Sequence, residues 1–368
     1  MFYRDTWCEI NLDALKKNIE ILKACCKKEL FVVVKANAYG VGDYQVVKTA
    51  EKCGVTIFAV STLDEAIALR KKGITADILV LGVSRLDNLV VAVNHDIILT
   101  VPSVKWAEGV VKRNIKGLRL HIKVDTGMHR LGVTSKEEVE KILDLLTETN
   151  SIEGIFSHFA NSDEKDHVVS DRQYHMFKDI VSGVAYDFRW VHMSNSDATI
   201  DYKEDFTNAV RCGIALFGAS VMEANLIPVV SLYTKITHIQ QLPEKSAVSY
   251  SGKYTTQGNE WIATLPVGYA DGFMRLNENG RVYINNEYAT IAGRVCMDQL
   301  MIHMENEYPV GTVVELIGTH VSVQEVAQRC LTIPHEILSG LGDRVVRIYL
   351  EDQQVKEIVN KILDDIVI

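Results

Sequence analysis

The sequence predicts an α/β protein in which a (β/α)8 TIM barrel is followed by a mainly β C-terminal domain. Short apolar runs alternate with helical periods in the first part, and eight strand–helix units over roughly 220 residues match the length of such a barrel. From residue 229 the alternation gives way to β-rich runs with Gly and Asn turns. We therefore predict a barrel over residues 1–228, with its first residues as candidates to pair with the second domain, and a mainly β domain over residues 229–368.

Eight apolar runs are predicted as the barrel strands, because each is short and ends at turn residues, as buried parallel strands do. They cover residues 30–35, 57–61, 77–82, 96–100, 118–124, 152–157, 190–194 and 208–212. A doubly wound open sheet would also alternate strands with helices. That fold usually has fewer strands and a Gly-rich first turn, and the chain contains no GxGxxG motif.

Helical periods fill the segments between these strands. Residues 62–72 begin with Thr62 and carry Glu65 three positions later, which is the spacing of a capping box. Residues 103–113 and 135–149 are predicted as further helices. In the second domain, β-rich runs cover residues 229–242, 261–266, 281–284, 288–291 and 313–317, with short helices around residues 323–329 and 353–364.

The composition is that of a globular protein and argues against several classes of partner and site. Hydrophobic residues make up 47% and charged residues 24%, and a net charge of −9 without a Lys/Arg cluster argues against nucleic-acid binding. Seven scattered cysteines without CxxC spacing predict free thiols in a reducing compartment and no metal site. No run approaches the ~18 apolar residues of a membrane helix, so we predict a cytoplasmic protein with no membrane segment in this chain.

Lys35 is the most informative residue of the predicted barrel. It follows the apolar residues 31–34 at the end of the first strand, and the chain then turns through residues 37–40. A lysine there either extends its amine into water or stays buried, where a lowered pKa makes it a nucleophile able to form a Schiff base. The strand alone favours the first interpretation, since lysine is rarely buried.

Other polar residues follow the remaining strands at the edge where barrels carry their working residues. They are Lys123, His158, Ser196, Arg211 and the backbone of Gly213 and Ile214. Each has an ordinary structural explanation: a core histidine bonded to a carbonyl, a helix cap, or an arginine paired with a carboxylate. Together they form a polar ring that a purely structural core would not need.

Seven segments of the chain carry a family resemblance. They are VVKANAYG, KVDTGMHRLG, SHFANSD, NSDAT, VRCGIALFG, GYADG and GRVCMDQ. The segments resemble those of the alanine racemases, pyridoxal-phosphate enzymes of fold type III, and the similarity extends from about Thr6 to Tyr349. The resemblance implies an isomerase that interconverts L- and D-amino acids with pyridoxal 5'-phosphate, and a homodimer with composite active sites. With this resemblance, the buried nucleophile becomes the favoured interpretation of Lys35.

The resemblance assigns the cofactor site to residues of the barrel. Lys35 would carry the cofactor, while Tyr39, Ser196 and the backbone of Gly213 and Ile214 would bind its phosphate. A turn opened by glycine suits that task, because its amides can point at an anion.

Two further barrel residues would control the protonation state of the cofactor's pyridine ring. Arg211 matches the arginine that faces the pyridine nitrogen, and His158 matches its supporting partner. Since arginine holds its proton tightly, the ring nitrogen would stay unprotonated and the cofactor would be a weaker electron sink. This favours return of the proton to Cα over transamination.

Racemisation needs a proton donor on each face of Cα. The resemblance implies Lys35 for one face and Tyr250 of the partner chain for the other. By itself, Tyr250 is better explained as an ordinary strand tyrosine, because aromatic residues favour strands.

The remaining residues implied by the resemblance concern the substrate. Arg130 lies near the substrate carboxylate, and Lys123 matches a lysine that is carbamylated in many members and supports that arginine. A simple proximity of Lys123 to Asp125 is the alternative. The residues matched to the substrate pocket and its access path, besides Arg130, are Met297, Asp298, Tyr269, Asp163, Arg275 and Arg294.

The chain departs from the family at two positions. Val41 stands where the family has histidine, with no clear consequence. Asp343 precedes the segment Arg344 to Arg347, where many members have a tyrosine that narrows the pocket. A carboxylate there could accept a bond from a serine hydroxyl, worth about 1–3 kcal/mol; the alternative is an ion pair with Arg344 or Arg347.

In having an acidic residue at this position, the chain resembles the VanT-type serine/alanine racemases of vancomycin resistance. This finer resemblance implies L- and D-serine as well as alanine as substrates, D-amino acid for peptidoglycan precursors, and a cytoplasmic domain of a membrane-anchored parent. A plain alanine racemase with negligible serine activity is the alternative.

Two functions of other classes compete with racemisation. A barrel that carries pyridoxal phosphate without turnover would lack a β domain, which argues against it here. A decarboxylase of the same barrel family would release carbon dioxide from a basic amino acid, and Arg211 argues against it.

Overall fold

The computed structural model describes residues 2–222 and 224–364, and its first part is a closed barrel of eight parallel strands. This confirms the predicted fold class. In chain order the elements are β1 (Thr6–Asn11), α1 (Leu12–Cys26), β2 (Glu29–Val33), α2 (Lys35–Tyr39), α3 (Asp43–Lys52), β3 (Ile57–Val60), α4 (Leu63–Lys71), β4 (Asp77–Val80), α5 (Leu89–Asn94), β5 (Ile98–Val101), α6 (Val104–Lys112), β6 (Arg119–Lys123), α7 (Lys136–Leu146), β7 (Ser151–Phe156), α8 (Val168–Gly183), β8 (Trp190–His192), α9 (Ser196–Asp201) and β9 (Ala209–Cys212). Strands β2 to β9 form the barrel, which closes where β9 pairs in parallel with β2.

Helix α4 begins as the capping pattern predicts. Thr62 Oγ1 accepts a hydrogen bond from Glu65 N at 3.3 Å, and Glu65 Oε2 accepts one from Thr62 N at 3.0 Å. These reciprocal bonds satisfy N–H groups that the start of a helix leaves without partners. Helices α6 and α7 begin in a similar way, since the side chains of Ser103 and Ser135 accept N–H groups of the first turn.

The second part of the chain is mainly β. Its elements are β10 (Val230–Lys235), β11 (His238–Leu242), β12 (Ala247–Val248), β13 (Tyr254–Thr255), β14 (Glu260–Leu265), β15 (Arg281–Ile284), β16 (Glu287–Ile291), β17 (Leu300–Met304), β18 (Val313–Ile317), α10 (Val323–Arg329), α11 (Pro334–Ser339), β19 (Val346–Glu351), β20 (Gln354–Val359) and α12 (Lys361–Asp364). Ten strands form one sheet in the order β11-β14-β17-β16-β15-β18-β10-β1-β19-β20. Strand β1 pairs with β10 and β19, so the first strand of the chain lies inside the sheet of the second domain.

The β-rich run 229–242 forms two strands, of which β10 pairs with β1 and β18 whereas β11 pairs with β14. One prediction for the second domain is wrong. Residues 353–364 are not one helix. A tight turn at Asp352 and Gln353, with φ of 54° and 60°, returns the chain as β20 alongside β19. The β-branched Val355 and Ile358 suit that hairpin better than a helix.

One continuous apolar core joins the barrel to the sheet. Helix α1 lies at this junction and buries the side chains that recur at helical spacing, which are Leu12, Leu15, Ile19 and Leu22. Helix α11 packs against α2, the segment that directly follows β2. The second domain therefore reaches the end of the barrel at which the predicted site residues lie.

Among the residues that the structure describes, no helix has both the length and the apolar composition needed to cross a bilayer. The same residues contain no cluster of three or more His, Cys, Asp or Glu side chains that could hold a metal ion. All seven cysteines lie in this part of the chain as free thiols.

Candidate active site

A cavity of about 460 Å³ opens at the C-terminal ends of the barrel strands. Ten of the residues that the sequence predicts for the site line it, and they are Lys35, Tyr39, Lys123, Arg130, His158, Asp163, Ser196, Arg211, Gly213 and Ile214. They come from the loops after β2, β6, β7, β8 and β9 or from the strand ends themselves. Parallel strands place their carboxyl ends at one rim, which explains why residues so distant in sequence meet.

Lys35 is half-buried at the edge of this cavity. Burial, with a smaller contribution from the positive charge of Arg130, lowers the pKa of its amine below the ordinary value. The amine lies 5.8 Å from the centre of the Tyr39 ring. A lowered pKa increases the fraction of neutral amine, which is the nucleophilic form.

Ser196, Tyr39 and Gly213 form one wall of the cavity. Ser196 Oγ accepts N–H bonds from Gly213 at 3.0 Å and from Ala215 at 3.3 Å, which leaves its own proton to donate elsewhere. Burial raises the pKa of Tyr39, so its hydroxyl also keeps its proton. A Cβ on Gly213 would overlap the Tyr39 hydroxyl. Two hydroxyl donors beside a turn without a side chain fit a phosphate group.

Arg211 lies at the floor of the cavity and is 4% exposed. Its guanidinium donates to Ser157 O at 2.7 Å, to Met193 O at 3.0 Å and to Nδ1 of His158 at 2.9 Å. Burial, and then the charge of Arg130, lower the pKa of Arg211 to about 9. The group therefore remains charged at neutral pH and its orientation is held by carbonyl and imidazole acceptors.

Two buried histidines extend this arginine's network and were missed by reasoning from the sequence. Arg211 donates to Nδ1 of His192 at 2.6 Å, and Nε2 of His192 lies 3.0 Å from Nδ1 of His121. Burial lowers the pKa of His121 to about 3 and that of His192 well below its ordinary value, so both rings are neutral. One signal was available, because His121 alternates with Lys123 along β6 and so shares its face.

Lys123 and Arg130 also line the cavity. Lys123 is 4% exposed, and its amine donates to Val124 O at 2.6 Å. Burial, and then the charge of Arg211, lower its pKa to about 7. Asp125 does not pair with it through a direct bond, since its Oδ1 accepts N–H groups of Gly127 and His129, both at 3.0 Å. The cavity thus holds two lysines with lowered pKa and two arginines.

The sequence matches two family models, each over most of one part of the chain. Residues 10–221 match "Alanine racemase, N-terminal domain" and residues 229–349 match "Alanine racemase, C-terminal domain". The chain belongs to the alanine racemase family. The matches cover both the barrel and the sheet, so the family extends to the whole arrangement and not only to the barrel.

Similar proteins and structures carry the same name. Alanine racemase 1 of Bacillus subtilis is 39% identical over 98% of this chain and 97% of that protein. The alanine racemase of Anoxybacillus flavithermus is 40% identical over 98% and 99% of the two chains. The crystal structure of alanine racemase from Bacillus anthracis with bound L-Ala-P superposes with a TM-score of 0.93 at 39% identity, covering 99% of this chain and all of the other.

The remaining seven predicted residues all lie outside the cavity, on the second domain. Tyr250, Met297 and Tyr269 are 65%, 53% and 43% exposed. Two hydrogen bonds hold their segments near one another, since Ser249 Oγ donates to Arg294 O at 2.7 Å and Tyr269 N donates to Cys296 O at 3.0 Å. We call the group Tyr250, Tyr269, Arg294, Met297 and Asp298 the outer surface. Within one chain it does not meet Lys35.

Arg275 and Asp343 are also exposed on the second domain. The Asp343 carboxylate accepts a bond from Lys361 at 2.8 Å. Neither expected arginine pairs with it, because Arg344 binds Asp298 at 2.8 Å and Arg347 donates to backbone carbonyls. Within one chain, Asp343 is not among the residues that line the cavity.

Three residues of the second domain line the cavity, and they are Ile333, Pro334 and His335. Of these, His335 has a polar side chain. Its ring centre lies 5.7 Å from that of Tyr39, and its buried Nδ1 has no hydrogen-bond partner among the described residues. Burial lowers its pKa. The sequence carried no signal for this residue, since only the packing of α11 on α2 brings it to the barrel.

Proposed function

We propose that the protein interconverts L- and D-alanine with pyridoxal 5'-phosphate as its cofactor. The observation that carries the proposal is a half-buried lysine of lowered pKa that lines the same cavity as a buried arginine, in a chain of the alanine racemase family. The relatives are named alanine racemases, which favours alanine as the substrate. The product would supply D-alanine for peptidoglycan precursors.

The residues of the cavity fit the cofactor. Lys35 would hold its aldehyde carbon, and the hydroxyls of Tyr39 and Ser196 with the backbone at Gly213 and Ile214 would hold its phosphate. When bound, pyridoxal phosphate withdraws electrons and so makes the Cα proton of an amino acid acidic. Ser196 can donate because both of its accepted bonds come from N–H groups.

Arg211 would stand at the ring nitrogen with its proton retained. The charged guanidinium is fixed by His158, His192 and two carbonyls, so it can orient a ring without passing a proton to it. This arrangement favours proton return to Cα, which is the outcome of racemisation.

The protons would be moved by two groups on opposite faces of Cα. Lys35, as a neutral amine, would accept or donate on one face. Tyr250 would serve the other face from the partner chain, because it is 65% exposed and outside the cavity in its own chain. The proposal therefore includes a homodimer in which the outer surface of one subunit covers the cavity of the other, with Arg130, Met297 and Asp298 at the substrate carboxylate.

The path by which substrate enters would be formed by both subunits. Asp163 lines the cavity of one chain, and Arg275 and Arg294 would be supplied by the partner chain.

The direct test is a racemase assay with added pyridoxal phosphate. Protein incubated with L-alanine should drive it to an equal mixture of enantiomers, resolved by chiral chromatography. A protein that binds the cofactor but leaves L-alanine unchanged would be a carrier instead. Release of carbon dioxide without inversion would identify a decarboxylase.

Serine specificity is tested by a second substrate. Since Asp343 contacts Lys361 outside the cavity, we expect kcat/KM for L-serine to be about 10-fold or more below that for L-alanine. Asp343→Tyr should leave the ratio of the two values unchanged within about twofold, because no pocket contact is altered. Comparable turnover of both substrates, with a selective loss for serine in Asp343→Tyr, would instead support a VanT-type racemase that supplies D-serine in vancomycin resistance. The membrane-anchored parent belongs to that alternative.

Lys123 is proposed as a carbamylated lysine that supports Arg130. Carbon dioxide adds only to a neutral amine, and a pKa of about 7 makes that form abundant at mildly alkaline pH. The resulting negative charge would pair with a neighbouring arginine in a region that holds Arg130 and Arg211.

The buried amine also predicts a pH dependence of stability. Because the pKa of Lys123 falls from 10.5 in the unfolded chain to about 7 in the folded chain, the unfolded chain binds more protons between these values. The free energy of unfolding should therefore rise with pH from about 7 to 10 more steeply in the wild type than in Lys123→Met. Urea unfolding of both cofactor-free proteins in buffer without carbon dioxide measures the difference.

Parallel pH profiles of the two proteins would contradict this assignment of the buried amine. Bicarbonate added at about pH 8, above the folded pKa, should stabilise the wild type and leave Lys123→Met unchanged. An equal response of both proteins would argue against carbamylation.

A further inference from the structure

The segment that follows Lys35 is a left-handed helical turn. Ala36, Asn37, Ala38 and Tyr39 have φ of 52°, 55°, 51° and 57°, and none of them is glycine. In this conformation the Cβ of an L-residue lies too close to the following carbonyl oxygen, so four such residues in succession are strained. We call residues 36–39 the left-handed turn. It sets the distance between the Lys35 amine and the Tyr39 ring.

Contacts within the barrel hold only part of this turn. Asn37 O accepts a bond from Gly42 N at 2.9 Å, and Asn37 Oδ1 accepts one from Asp43 N at 3.0 Å. Ala36 N donates to Glu65 Oε1 at 2.6 Å. None of these bonds involves the carbonyl oxygens of Gly40 and Val41, the two residues that directly follow the turn, and those oxygens have partners from elsewhere in the chain.

Two side chains of β19, in the second domain, supply those partners. The Tyr349 hydroxyl donates to Val41 O at 2.8 Å, and Arg347 donates to Gly40 O from Nη2 at 3.1 Å and from Nε at 3.3 Å. Both side chains are buried. The fit is close, because a Cβ on Gly42 would overlap the Tyr349 hydroxyl.

Arg347 connects this end of the turn to the segment between α11 and β19 as well. Its guanidinium also donates to Leu341 O at 2.6 Å, Gly342 O at 2.5 Å and Val345 O at 2.6 Å. It makes no ion pair within the described residues. A buried charge that binds only backbone carbonyls fixes the position of the backbone rather than the charge of a site.

We propose that Arg347 and Tyr349 are positioning residues, which hold the left-handed turn in the conformation that binds pyridoxal phosphate before the cofactor arrives. The second domain would thereby prepare Lys35 and Tyr39 of its own chain, in addition to its role at the partner's cavity. Without these contacts the strained turn relaxes, and cofactor binding must restore it, which weakens affinity. The inference rests on the proposed function for its cofactor but not for the state of the turn.

Tyr349→Phe tests the proposal by removing a single hydroxyl. In the cofactor-free protein, amide hydrogen exchange of residues 36–43 should accelerate about threefold or more, and the dissociation constant of pyridoxal phosphate should rise about fivefold, as for one lost hydrogen bond. Once saturated with cofactor, the variant should keep its kcat within about twofold, since no group that touches substrate has changed.

The matched control is Tyr186→Phe, which removes a tyrosine hydroxyl bonded to Ile152 O at 3.0 Å, at the opposite end of the barrel. It should leave both the exchange of residues 36–43 and the cofactor's dissociation constant unchanged. Arg347→Lys should act in the same direction as Tyr349→Phe, and if that variant does not fold, Tyr349→Phe decides alone.

Unchanged exchange in Tyr349→Phe overturns the proposal. Faster exchange with an unchanged dissociation constant overturns it too, because the contacts would then serve only the fold. If neither the wild type nor the variant binds pyridoxal phosphate, the proposed function fails, while the exchange experiment still reports whether β19 holds the turn.

Discussion

Lys35→Ala is expected to abolish alanine racemisation, with a loss of about 10⁴-fold or more in kcat, because the variant lacks both the covalent attachment and one of the two bases. The half-buried amine of lowered pKa is the group on which the proposed chemistry depends. Pyridoxal phosphate should still bind to the variant without covalent attachment, since Tyr39, Ser196 and Gly213 remain in place.

Borohydride reduction supplies the second measurement for this residue. In the wild type it should fix the cofactor to the peptide that contains Lys35, and in Lys35→Ala it should fix none. Lys123 is the internal control, because it also lines the cavity and its pKa is also lowered. Attachment of the cofactor to Lys123 in the wild type would contradict the assignment of Lys35.

Tyr250→Phe is expected to lower kcat by about 10²- to 10⁴-fold, the usual contribution of a general acid or base. Binding of the cofactor should be unaffected, because Lys35, Tyr39 and Ser196, which would hold it, are unchanged in this variant. In deuterated water, exchange of the Cα proton should be lost for one enantiomer and largely retained for the other. Tyr288→Phe is a suitable control, since Tyr288 is an exposed tyrosine of the same domain.

Mixing the two inactive variants tests whether Tyr250 acts in the partner's cavity. In a randomly exchanged mixture of Lys35→Ala and Tyr250→Phe, half of the dimers are mixed, and each has one site with both residues intact. Activity should therefore return to about a quarter of the wild-type value. Full activity of Tyr250→Phe alone, an active monomer in light scattering, or no recovery on mixing would each contradict the composite site.

The fold and much of the cavity could be predicted because their signals are local. Apolar runs at regular intervals mark eight strands, and a residue within two positions of a strand's end, such as Lys35 or His158, must lie at the common rim of a parallel barrel. The family resemblance then assigned expected roles to these residues. The capping pair Thr62 and Glu65 could be predicted for the same reason, since its bonds span only three residues.

Residues whose position depends on a distant element could not be predicted in this way. His192 and His121 matter because both point into the barrel beside Arg211, and His335 because α11 packs on α2. Asp343 precedes a motif of the family, yet its carboxylate is drawn to Lys361. Likewise β20 is a strand because β19 offers it a pairing edge.

The sequence by itself determined the barrel, the following β domain and the strand-end residues, because periodicity and chain order specify them. Only the tertiary structure decided the conformation of the residues after Lys35. Nothing in Ala36, Asn37 and Ala38 favours a left-handed turn strongly enough to overcome the clash of each Cβ with the next carbonyl. That conformation persists because Arg347 and Tyr349, about 300 residues away in sequence, bind the carbonyl oxygens at its end.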